Sequence, residues 1–126
     1  MRNNEIIKAI KALCGRVSTI SNLGYYFVYK GYRFLYIPGE AEGMLRFCIP
    51  HIEQSEKYGS SEVCAVVNQV NLEVKYAKAV VRDQGSISVE YDYKISSSED
   101  LNDTLPHIVD TLAFAAKYLT EKLEKI

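Results

Sequence analysis

Tyr25-Tyr26-Phe27-Val28-Tyr29-Lys30-Gly31-Tyr32-Arg33-Phe34-Leu35-Tyr36-Ile37 holds seven of the fourteen aromatic residues of the chain. So much Tyr, Phe, Val and Ile, with Lys-Gly in the middle, reads as two extended strands joined by a two-residue hairpin turn. That turn sets Tyr29 opposite Tyr32, Phe27 opposite Phe34 and Tyr25 opposite Tyr36, so their six rings share one face. Tyr26, Val28, Leu35 and Ile37, with Arg33, share the other. If half the area of six such rings stayed exposed, about 450 to 750 Å² would be open, at or above the largest apolar patch a monomer usually carries. Something must cover the rings. Either helices of the same chain bury them as core, or a partner does, for which Tyr is suited by its large area and polar tip. Tyr25, Phe27, Tyr29, Tyr32, Phe34 and Tyr36 are therefore the candidate partner-binding residues, with core as the competing assignment.

Outward from the hairpin, the turn from Pro38 to Gly43 leads into a third strand, Met44 to Ile49, completing an antiparallel meander. Upstream, Ile6, Ile7, Ile10, Leu13 and Cys14 recur at helical spacing, Gly15 is a stop, and Arg16 to Gly24 is a link. Downstream, Ser60 and Ser61 offer a cap to a helix whose Val63, Val66, Val67, Val70 and Val74 fall on one side. Tyr76 to Val81 and Ser86 to Ile95 flank Asp83-Gln84-Gly85. The second of these strands alternates, with Ile87, Val89, Tyr91, Tyr93 and Ile95 facing a core and Ser86, Ser88, Glu90, Asp92 and Lys94 facing water. Asp103 or Thr104 can cap a last helix carrying Leu105, Ile108, Val109, Leu112, Ala116, Leu119 and Leu123, with Pro106 in its first turn. The expected fold is α+β in the order α-β-β-β-α-β-β-α, a five-stranded antiparallel sheet with helices packed on it.

The chain has 126 residues, 48% hydrophobic and 25% charged, which suits one domain spanning 1–126 that needs neither metal nor disulfide to fold. A net charge of −1 is too small for a binder of nucleic acid that relies on bulk charge. The sum hides a split, since residues 1 to 38 carry +5 and the remainder −6. Cys14, Cys48 and Cys64 form no C-x-x-C pair and read as reduced thiols of a cytoplasmic protein. The N-terminus is neither signal peptide nor anchor, and hydrophobic stretches five residues long fall far short of the roughly 20 a membrane span needs.

From Asn68 to Tyr93, the run Asn-Gln-Val-Asn-Leu-Glu-Val-Lys-Tyr-Ala-Lys-Ala-Val-Val-Arg-Asp-Gln-Gly-Ser-Ile-Ser-Val-Glu-Tyr-Asp-Tyr resembles the bacterial YbjN family. That family carries an Asn-rich helix end, a Lys-Ala strand, an Asp-x-Gly-type turn and an alternating strand at this place. The resemblance runs on through the last helix. It implies a fold similar to that of type III secretion chaperones, small α+β domains that often pair as homodimers, and a chaperone-like or regulatory role without catalytic signature.

Other motifs point away from chemistry. His51 and His107 stand far apart with no metal-ligand spacing, and Ser96-Ser97-Ser98 lacks a Gly-x-Ser-x-Gly elbow. Lys30-Gly31-Tyr32-Arg33-Phe34-Leu35-Tyr36 nearly matches the stacking motif of RNA-recognition domains, but Arg33 stands where a small residue is needed and Ile37 where the last ring belongs. The expectation is a non-enzymatic, cofactor-free protein-interaction module that binds a protein partner or itself. The alternative is a small-ligand sensor with a pocket between sheet and helices.

Overall fold

Lys30 and Gly31 both adopt left-handed backbone angles, with φ of 51° and 81°, and so close the tight hairpin that the Lys-Gly pair suggests. Across it β2 (Gly24–Tyr29) and β3 (Tyr32–Pro38) pair with Tyr29 opposite Tyr32, Phe27 opposite Phe34 and Tyr25 opposite Tyr36. The computed structural model describes residues 3–41 and 43–126. Its remaining elements are α1 (Asn3–Cys14), β1 (Ser18–Ile20), β4 (Met44–Gln54), α2 (Ser60–Glu73), β5 (Lys78–Val81), β6 (Ser86–Lys94) and α3 (Leu101–Glu124). All neighbouring strands are antiparallel, in the order β1-β2-β3-β4-β6-β5.

The sheet thus has six strands, not five. The addition is β1, within the stretch expected to be a link, where Ser18 pairs with Tyr26 and Ile20 with Gly24. All three of its residues are exposed, so no alternation marks it; pairing with β2 alone makes it a strand. Gly24 permits the local backbone crowding, because a Cβ there would collide with the carbonyl oxygen of Tyr36.

β4 runs past Pro50, which a central strand accommodates because the register with β6 shifts between Ile49 and Glu53. His51 lies in that irregularity with φ of 54°. The caps differ from expectation as well. α2 starts from Gly59 rather than a serine, and α3 starts from Asp100, whose carboxylate accepts from the Asn102 N–H at 2.9 Å. Pro106 consequently lies in the second turn of α3, leaving the Asn102 carbonyl without its helical donor.

The three helices share one layer. Ile6 and Ile10 of α1, Val63, Val66 and Val70 of α2, and Leu105, Ile108, Val109, Leu112, Ala116 and Leu119 of α3 form a single buried cluster with Phe27, Phe34, Tyr36, Phe47, Val89 and Tyr91 of the sheet. No helix among the described residues is long and apolar enough to cross a membrane.

One sheet edge is partly covered by a side chain. The Asn71 side chain accepts from the Ala79 N–H at 2.7 Å and donates to the Ala79 carbonyl at 3.1 Å, doing for β5 what a further strand would do. Asn71→Ala should lower stability by about 1 to 3 kcal/mol, because it leaves a donor and an acceptor of a buried residue unmade. Urea denaturation checks this, and an unchanged midpoint would refute it.

Candidate functional site

The aromatic face is core. Phe27 is 1% exposed and Phe34 and Tyr36 are 0%, each covered by the helix layer. Phe27 stacks on Phe34 with ring centres 5.1 Å apart, and Tyr36 stacks on Phe47 at 5.0 Å. Tyr25, Tyr29 and Tyr32 are half-buried against the same cluster. Three of the hydroxyls are paired: that of Tyr36 donates to Asn3 Oδ1 at 2.7 Å, Asn3 Nδ2 donates to that of Tyr25 at 3.2 Å, and that of Tyr29 donates to Asp110 at 3.1 Å. Lys30 adds an ion pair to Asp110 at 2.9 Å, fastening the hairpin tip to α3. The chain's own helices thus bury Phe27, Phe34 and Tyr36 as core, while Tyr25, Tyr29 and Tyr32 keep part of their surface at its rim.

The core is also filled. The cavity between sheet and helices that is lined by Ile6, Leu45, Phe47, Ile95, Leu105 and Ile108 is about 10 Å³, room for at most one water.

What stays open is the opposite face of the sheet. Alternation brings Tyr26 and Val28 of β2, Arg33, Leu35 and Ile37 of β3, and Met44, Arg46 and Cys48 of β4 to it. Ser86, Ser88, Glu90, Asp92 and Lys94 of β6, Lys78 and Val80 of β5, and Ser18 and Ile20 of β1 complete it. No helix among the described residues covers it, and Val28 is 49% exposed.

Yet Ser86, Ser88 and Glu90, expected to face water, are buried. Two arginines lie over them. Arg82 donates from Nε to Glu90 Oε2 at 2.7 Å and from Nη2 to Glu90 Oε1, and Ser88 Oγ donates to Glu90 at 3.2 Å. Arg46 faces the same carboxylate at 3.4 Å and grips Asp92 with two bonds of 2.6 and 3.0 Å. The hydrogen bond from Arg46 holds the Asp92 carboxyl below its usual range. The aliphatic stems of such arginines can shield what lies beneath them, and burial pushes the Cys48 thiol up to about 11. Beside this network, a groove of about 270 Å³ is lined by Ile37, Cys48, Pro50, His51 and Ser86 as well as both arginines, with His51 Nδ1 2.8 Å from Ser86 Oγ.

His107 belongs to the helix layer, edge-on to Tyr76 and Tyr91, so the two histidines serve different surroundings. Among the described residues no three His, Cys, Asp or Glu side chains are grouped to hold a metal ion. The Ser96 loop is ordinary capping, with Glu99 accepting from the Ser96 N–H, Tyr93 and Thr104.

Two phenols should titrate late. Burial pushes Tyr36 up to about 12, and the hydrogen bond to Glu99 does the same for Tyr93, from an ordinary value near 10.0. Folded-state values above the unfolded ones mean that this stability is whole below about pH 10 and is lost as pH rises toward 12. Phenolate absorbance should therefore show Tyr36 and Tyr93 ionising last, together with alkaline unfolding. Tyr36→Phe should remove the Tyr36 share, and an unchanged late phase in that variant would refute the assignment.

No family model and no curated protein matches the chain. Its fold is similar to the crystal structure of an uncharacterized protein from Methanothermobacter thermautotrophicus, at a TM-score of 0.65 and 11% sequence identity, over 98% of this chain and 97% of that one. At that identity the likeness is one of fold alone. The class defined so far is a two-layer α+β domain with one uncovered sheet face.

Proposed function

We propose that this protein is a non-enzymatic protein-interaction module, chaperone-like or regulatory, that binds through the open face of its sheet and not through the six-ring face of the hairpin. The observation that carries the reading is the one-sided layering: all three helices pack on one face, while Tyr26, Val28, Leu35 and Ile37 stand on the other. Apolar side chains beside a satisfied ion network are the ordinary make-up of a protein-binding surface. A cytoplasmic setting accords with three free cysteines, and the YbjN-like resemblance rests on the segment from Asn68 to Tyr93.

The test is site-specific photocrosslinking in the native host, with the reactive residue at Val28 of the open face or at Phe114 on the exposed side of α3. A single adduct from Val28, identified and then rebuilt from the two purified proteins, is the expected result. Adducts from Phe114 alone, or none from Val28, would sink the proposal.

A further inference from the structure

Edges and charge together narrow what the open face binds, given the reading that it is the binding surface. Strand addition is disfavoured at both ends of the sheet, since Asn71 occupies the β5 edge and β1 offers only three residues. A partner must lie across the face. The other face of this sheet is covered by amphipathic helices, and two-layer packing of that kind is the general solution.

Charge supplies the second constraint. Arg33, Arg46, Lys78, Arg82 and Lys94 stand on this face against Glu90 and Asp92, with Asp83 at its rim, a surplus of two positive charges on a protein whose net charge is −1. Arg46 and Arg82 are held by the two carboxylates. Arg33, Lys78 and Lys94 are exposed and have no ion-pair partner among the described residues. A second copy of this chain would bring the same positive surplus and be repelled.

We propose that the open face binds an acidic amphipathic helix of another protein. Its apolar stripe lies over Tyr26, Val28, Leu35 and Ile37, and its carboxylates meet Arg33, Lys78 and Lys94.

The test titrates the full chain, isotope-labelled for NMR, with a model amphipathic helix of leucine and glutamate, and in parallel with its leucine–lysine counterpart. The acidic helix should shift the amides of β2, β3 and β6, and its affinity should fall about tenfold between about 50 mM and 500 mM salt as screening shortens. Arg33→Glu with Lys78→Glu and Lys94→Glu should weaken it by about tenfold or more with the spectrum otherwise intact, since none of the three belongs to the ion network. Equal binding of the lysine helix, or insensitivity to salt, overturns the acidic preference while the open face stands as an interface. A dimer formed through Val28 and Leu35 without peptide overturns it in favour of a second copy. If neither helix perturbs the open face the inference fails, and the Val28 crosslink decides the broader reading independently.

Discussion

Phe34→Ala is expected to lower the unfolding free energy by about 3 to 5 kcal/mol, the usual cost of emptying a buried aromatic site. Phe34 is wholly enclosed, stacked on Phe27 and met edge-on by Tyr29 at 6.2 Å. Since a domain of this kind is stable by about 5 to 15 kcal/mol, the variant approaches the limit of folding. Val28→Ala, on the other side of the same hairpin, should cost only about 0.5 kcal/mol. Urea denaturation of the pair, with equal slopes, measures the contrast. Equal small losses would mean that the rings are not core beneath the helices.

Arg46→Met combined with Arg82→Met should cost about 2 to 4 kcal/mol, somewhat less than breaking a fully buried pair because water reaches both guanidinium groups. Glu90, 8% exposed, would keep only the Ser88 hydroxyl as a partner. Adding Glu90→Leu should return most of the loss, since an apolar side chain in that place needs no counter-charge. Chemical denaturation of the wild type, double and triple variants tests the sequence. A double variant as stable as the wild type would show the cluster to be solvated surface charge, worth about 0 to 1 kcal/mol.

The sequence disclosed what is local. A two-residue turn fixes the pairing of its own arms, so the alignment of Tyr25 with Tyr36 follows from Lys30-Gly31 alone. The cover over those rings is not local. It comes in part from α3, and Tyr29 meets Asp110 across 81 positions of chain. β1 was illegible because Ser18, Thr19 and Ile20 are all exposed and carry no period. In α3, several acidic and hydroxyl residues in a row can each cap a helix, and Asp100 rather than Asp103 or Thr104 does so.

The open-face network was hidden for a related reason. The alternation of β6 correctly separates Ser86, Ser88 and Glu90 from the core side, but it says nothing of Arg46, 46 positions before Asp92, lying across from them. The signal was present as charge: one arginine on β4 and another just past β5, each a strand's width from a carboxylate on β6. Only the pairing of β4 with β6 makes it legible.

The side-chain amide of Asn71 has a consequence for how copies of this protein could assemble. A filament built by adding sheet to sheet would need β1 of one copy to meet β5 of the next, a head-to-tail contact that repeats without closing. Asn71 already fills the hydrogen-bonding groups of Ala79 on that receiving edge. Strand pairing at β5 would first have to displace that amide, whereas β1 against β1 closes upon itself after two molecules, so one side chain works against growth into fibres.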